Sequence, residues 1–138
     1  MRKTYAAQLD KLSEIAEDIE NFGRDNRVPE RDVFALNLAA DELFTNAVQH
    51  GYKMDSANSV EIEISRNGDE VVMTVSDSAP RFNPLEMGAP QSLSSGVEER
   101  EVGGLGIFFV VKKMDSVSYR YADGKNKLTM VKKLNGSR

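Results

Sequence analysis

The segment from about Glu30 to His50 constrains the fold more than any other part of the chain. Its apolar residues Phe34, Leu36, Leu38, Ala39, Ala40, Leu43, Phe44, Ala47 and Val48 cover much of a helix's circumference, not one stripe. Such a helix has to be central, with the rest of the chain packed around most of it. Pro29 suits its first turn and Gly51 its end. Polar residues that remain on this helix therefore need a reason, and Glu42 and Asn46 are two of them. Four residues apart, they project from one face about one turn from each other. A carboxylate and an amide oxygen so placed suit a hard cation such as magnesium, directly or through water. The carboxylate can also orient or deprotonate an attacking hydroxyl or water. The alternative reading is a solvated polar stripe, and the apolar character of the helix counts against it.

The flanking segments supply what such a helix packs on. Leu9, Leu12, Ile15, Ala16, Ile19 and Phe22 recur at spacings of three and four, predicting a first amphipathic helix that stops at Gly23. Val60, Ile62 and Ile64 alternate with Glu61, Glu63 and Ser65, a half-buried strand. A second strand runs from Glu70 to Ser76 beyond the turn Asn67-Gly68-Asp69. Residues 78 to 104 are rich in Ser, Pro and Gly, with an acidic cluster at Glu98, Glu99 and Glu101, and so long a connection is often functional or disordered. Leu105 to Met114 reads as a short buried helix. A hairpin of about Ser116 to Tyr121 and Lys127 to Leu134 turns at Asp123-Gly124. This order predicts an α+β fold, a two-layer α/β sandwich with a mixed, mostly antiparallel sheet and helices on one face.

At 138 residues the chain is expected to form one domain, residues 1–138, with a core large enough to need no staple. Zero cysteines exclude disulfides and Cys-ligated metal centres, and a single histidine argues against a His-rich metal site. A net charge of -4 gives no general attraction to nucleic acid or to anionic membrane. No apolar run is long enough to span a bilayer and no export signal opens the chain, which reads as cytoplasmic.

Two further clusters carry chemistry. In D-S-A-P-R-F-N-P, residues 77 to 84, Asp77 ends a buried strand and enters a Pro-rich turn, where its carboxylate can accept hydrogen bonds from an exocyclic amine such as that of adenine. A turn-initiating aspartate is the plainer reading. In G-G-L-G, residues 103 to 106, close glycines at the opening of a helix let backbone N–H groups approach a phosphate. Its spacing matches neither G-x-G-x-x-G nor the P-loop, and a flexible joint is the plainer alternative.

Together the order and spacing of these clusters resemble the ATP-binding domain shared by gyrase, the ninety-kilodalton heat-shock chaperone, histidine kinases and MutL, the Bergerat-type fold. Within that group the chain is most similar to the bacterial anti-sigma factor serine-protein kinases. L-A-A-D-E-L-F-T-N-A-V-Q-H-G-Y resembles their N box, V-S-D-S-A-P-R-F-N-P-L their first glycine box and G-G-L-G-I-F-F-V their second, and the likeness covers nearly the whole chain.

The resemblance implies ATP and Mg2+ as cofactors and a role for each matched residue. Asn46 is expected to bind the magnesium and Glu42 to act as general base on a serine hydroxyl. Asp77 is expected to bond the adenine amine, with Thr129 supporting it through water. Ala79 and Phe82 belong to the same adenine turn. Gly103, Gly104, Leu105 and Gly106 are expected to wrap the phosphates, with Arg100 contacting them from the lid. One departure stands out: Ala79 occupies a position that is usually glycine. His50, the only histidine, reads as a helix-end or nucleotide-proximal residue, not a phosphoacceptor. The implied activity is phosphorylation of an anti-anti-sigma (STAS-type) protein together with sequestration of a sigma factor. A module that binds ATP or a partner without kinase activity is the alternative. Relatives of this type often form homodimers; no direct nucleic-acid or membrane contact is expected.

Overall fold

The computed structural model describes residues 1–87 and 104–134. Strands β2 (Ser59–Asn67) and β3 (Glu70–Asp77) form the expected hairpin, and β4 (Ser116–Ala122) and β5 (Lys125–Lys133) form another. The second hairpin turns at Asp123 and Gly124, both with positive φ (55° and 74°), as a two-residue turn between right-twisted strands requires. A strand that the sequence reading missed, β1 (Arg2–Ala6), pairs with β2. The order is β1-β2-β3-β5-β4, and every neighbouring pair is antiparallel. The expected mixed sheet is therefore corrected to an antiparallel one among the described residues.

Period-two burial fixes which face the helices cover. Val60, Ile62 and Ile64 of β2, Val71, Met73 and Val75 of β3, and Leu128 and Met130 of β5 are buried together with the helix residues Ile15, Ile19, Leu36 and Phe44. Completely burying a side chain the size of Phe44 contributes roughly 1.5–3 kcal/mol. Helix α1 (Leu12–Asp25) follows a short 3-10 turn. It does not stop at Gly23. There the missing Cβ lets Val33 of α2 approach so closely that an alanine would meet its Cγ2 at 2.5 Å. Lys3 of β1 reaches Glu14 and Asp18 of α1 at 2.6 and 2.9 Å, a link between the sheet edge and the helix layer.

Helix α2 (Glu30–Asn46) keeps α geometry only to Asn46. Ala47–Gly51 forms a π turn, in which the Tyr52 N–H donates to the Ala47 carbonyl at 2.7 Å. Such turns often mark functional positions because they widen the helix and re-aim its side chains. Here the turn presents His50 and Gly51 to the cavity described next. Helix α3 (Gly104–Lys113) packs beside α2, as expected for the short apolar segment.

Candidate functional site: a cavity between the central helix and the sheet

A cavity of about 440 Å³ opens between the C-terminal end of α2 and the ends of β3 and β5. That volume suits a small organic ligand. Leu43 of α2, Ala47 of the π turn, Val75, Ala79 and Leu128 contribute to its apolar wall, and Asn46, His50, Asp77, Arg81, Tyr119 and Asn126 bring polar groups to it. Asn46, Asp77, Ala79 and Phe82 are thus brought together although they lie on two distant segments. Phe82 is 54% exposed at the mouth, beside Arg81, whose guanidinium stands 5.6 Å from the Tyr121 ring.

Glu42 and Asn46 share a face, as their spacing requires. The Asn46 Nδ2 donates to Glu42 Oε2 at 2.9 Å, which fixes both side chains. The amide oxygen is then the group Asn46 has left for a ligand. Burial pushes the Glu42 carboxyl above its ordinary range. Asp41 adds to this, while the Asn46 hydrogen bond and His50 oppose it. A Cβ placed on Gly106 would overlap the Glu42 carboxyl group. The first turn of α3 therefore lies directly on that carboxylate, and glycine is what permits it.

At the other end of the cavity, Asp77 Oδ1 accepts from the Ala79 N–H at 3.0 Å and from Asn126 Nδ2 at 2.9 Å. Both bonds fall on one oxygen; among the described residues none reaches Oδ2. The Tyr52 hydroxyl accepts from the Ser78 N–H at 2.7 Å and donates to the Ser59 carbonyl at 2.8 Å, tying the turn to the end of α2 and the start of β2. Ala79, at the usual glycine position, has a negative φ, so its backbone carries no left-handed strain. Its methyl is buried against Gly51, where an added Cβ would stand only 2.9 Å away. The departure at Ala79 is accommodated by a glycine on the facing turn.

One expected residue is elsewhere. Thr129 pairs with Thr74 across β3 and β5, and their hydroxyls lie 3.1 Å apart on the face away from the helices. It does not line the cavity. Its parity explains why: Leu128 and Met130 point inward, so Thr129 points outward. The β5 residue that does reach Asp77 is Asn126, which the sequence reading passed over. The available signal was a polar residue at an inward position in the alternation Asn126, Leu128, Met130. Of the remaining expected residues, Arg100 and Gly103 lie outside the described residues, as does the acidic cluster. Gly104 opens α3, and the Leu105 side chain is outside the described set.

A central helix with a polar pair, an aspartate at a strand end across a cavity from it, and a glycine-opened helix lying on the Glu42 carboxyl are the parts of a nucleotide-binding ATPase domain. The chain belongs to the family of histidine kinase-like ATPase domains, whose pattern matches residues 5–132, and within it to the anti-sigma factor serine-protein kinases. It is similar to the serine/threonine-protein kinase BtrW of Bordetella bronchiseptica, with 26% identity over 132 residues, covering 93% of this chain and 92% of that protein. It is 36% identical over 101 residues to the anti-sigma F factor of Clostridium perfringens, covering 72% of this chain and 71% of that one. Among solved structures, a chain of the SiaB–SiaC complex from Pseudomonas aeruginosa superposes with a TM-score of 0.66 at 13% identity, covering 95% of this chain and 88% of that one. That likeness supports the fold. No helix among the described residues is long and apolar enough to cross a membrane.

Proposed function

We propose that the cavity is an ATP site, with the adenine at Asp77 and the phosphates toward Asn46 and the glycine-opened end of α3, and that residues 1–138 act as one kinase domain. The protein is an ATP-dependent serine kinase of the anti-sigma type. It phosphorylates an anti-anti-sigma protein of the STAS type and holds a sigma factor, which places it in the cytoplasm. The observation that carries the reading is the pairing of Glu42 with Asn46 at one end of a cavity whose other end is the half-free carboxylate of Asp77.

The chemistry divides among named side chains. Asp77 Oδ2 accepts a hydrogen bond from the exocyclic amine of the base, and the apolar wall covers the ring. Glu42 takes the proton from the partner's serine hydroxyl as that oxygen bonds to the γ-phosphorus and the bond to ADP breaks. A carboxyl raised by burial is a better base near neutral pH than an ordinary one. Magnesium fits the donor set. Asn46 Oδ1, left free by the bond from its Nδ2 to Glu42, is a hard oxygen donor, and a cation with few protein ligands takes the rest from phosphate and water. When bound, magnesium would neutralise phosphate charge; Asn46 would hold it, leaving the Glu42 carboxylate free to take the proton.

The test is transfer of labelled phosphate from ATP to a purified STAS-type partner. The wild-type chain is expected to label one serine, and Glu42→Ala to lower the rate by at least about 100-fold, the scale of a lost general base. Equal labelling by the variant removes Glu42 from the base role. Absence of any thermal shift with millimolar ATP and magnesium removes the ATP reading itself.

A further inference from the structure

We infer that Asn126, held by Tyr119, is the positioning residue that sets the nucleobase selectivity of this cavity. The inference rests on the ATP-site reading above and adds to it a residue and a property.

Asn126 is 8% exposed and sits on the inward face of β5, where an amide is costly unless its hydrogen bonds are made. They are all made. Its Nδ2 donates to Asp77 Oδ1 at 2.9 Å, to the Ala79 carbonyl at 3.0 Å and to the Pro80 carbonyl at 3.2 Å. Its Oδ1 accepts from the Phe82 N–H at 3.0 Å and from the Tyr119 hydroxyl at 2.5 Å. One side chain thus grips the turn at Asp77, Ala79, Pro80 and Phe82.

Only one orientation of the amide satisfies these neighbours. The Phe82 N–H can only donate, and the two backbone carbonyls can only accept. Rotating the amide by half a turn would set its oxygen against the Asp77 carboxylate and two carbonyl oxygens. The NH2 group is therefore committed to Asp77 Oδ1, where the Ala79 N–H also donates. With two donors on Oδ1 the carboxylate cannot turn, and Oδ2 is the oxygen left for the ligand. An ionised carboxylate oxygen is an acceptor only, so it welcomes the 6-amino group of adenine and meets a 6-oxo purine acceptor to acceptor. A side chain that fixes which oxygen is presented, and where, sets that discrimination without touching the base.

The experiment measures Kd values for ADP and for IDP, in the presence of magnesium, by calorimetry on the full chain. The two ligands differ at the 6-position while sharing ribose and phosphates. Wild type, Asn126→Ala and Tyr119→Phe are compared, with thermal unfolding of each. The wild type is expected to prefer ADP by at least about 10-fold. Asn126→Ala should weaken ADP by about 10- to 100-fold, the scale of a lost hydrogen bond to a charged group, and change IDP by less than about 3-fold. Tyr119→Phe should shift the ratio in the same direction by less. It decides the matter if Asn126→Ala does not fold.

A fall in affinity that is equal for ADP and IDP means a merely structural role and overturns the inference. An unchanged ratio in both variants, or a wild type that does not discriminate, overturns it too while leaving the ATP site standing. A wild type that binds neither nucleotide overturns both readings.

Discussion

Replacing Gly51 by alanine would set a new Cβ 2.9 Å from the Ala79 Cβ. Carbon atoms in good contact stand about 3.5–4.0 Å apart, so something must move. Neither partner can yield by rotating a side chain: a methyl has no far end, and both residues sit on backbone held by hydrogen bonds at Tyr52, Ser78 and Ala79. Overpacking of this kind costs about 1–3 kcal/mol. A gain of up to about 1 kcal/mol from exchanging Gly for Ala in a helical turn offsets part of it. Gly51→Ala alone is thus expected to be destabilising by roughly 0–3 kcal/mol. In an Ala79→Gly background the clash is absent, and the same substitution should stabilise. The coupling between the two positions, from urea unfolding of the four proteins, should be about 1–3 kcal/mol, with the double mutant more stable than the sum of the single effects. A coupling below about 0.5 kcal/mol would refute the reasoning, because residues without steric contact add within that margin.

Glu42→Gln should abolish phosphate transfer while raising stability at neutral pH in the metal-free protein. Burial raises the folded-state pKa of Glu42, so its contribution to stability is fully present below its ordinary unfolded value and is lost as pH rises through the folded value. The advantage of the glutamine should accordingly shrink as pH falls toward about 4, and thermal melts across pH 4–8 would show no such convergence if burial were not the cause. Gly106→Ala should lower phosphate transfer by about 100-fold, because the added methyl displaces the Glu42 carboxyl and small misplacements of a reacting group cost that much. Circular dichroism should show the fold retained. Thr129→Val should cost about 0.5–1.5 kcal/mol through loss of its bond to Thr74, and leave ADP affinity within about 3-fold. A larger affinity loss in calorimetry would mean that Thr129 serves the cavity after all.

Much of this architecture is legible in the sequence because it is written in period. Alternation in Val60–Ser65 gives β2 its inward face, and three-four spacing gives α1 its stripe. Glu42 and Asn46 could be paired from spacing alone because a helix leaves no freedom in which residues share a face. Three features were not legible, each for a physical reason. β1 is five residues of mixed character whose burial, at Tyr5, comes from tertiary packing and not from a pattern. Gly23 reads as a helix stop because helices often end at glycine, yet its use here is to let Val33 approach. Asn126 was hidden because asparagine beside Asp123-Gly124 looks like part of a turn, and only the register with β3 sets it opposite Asp77.

The same distinction bears on Ala79, where the family resemblance implies a glycine. A glycine can be required by backbone conformation or by crowding. Conformation is excluded, since the φ of Ala79 is negative. Crowding remains, and it is a property of a pair: the space that a glycine at 79 would leave is supplied here by Gly51 on the π turn of α2. Tyr52, the next residue, donates to Ser59 and holds the Ser78 N–H. The end of the helix that carries Glu42 and Asn46 is therefore joined to the turn that carries Asp77 by one steric contact and one hydrogen bond, both within two consecutive residues. Asn126 grips that turn from the opposite side. It follows that perturbing Gly51 or Tyr52 should displace both ends of the cavity, whereas Asn126→Ala should affect the base end alone. Phosphate transfer from saturating ATP should consequently survive Asn126→Ala with a raised KM and a nearly unchanged kcat, and fall in kcat for Gly51→Ala. A fall in kcat for Asn126→Ala as large as that for Gly51→Ala would break this division of labour.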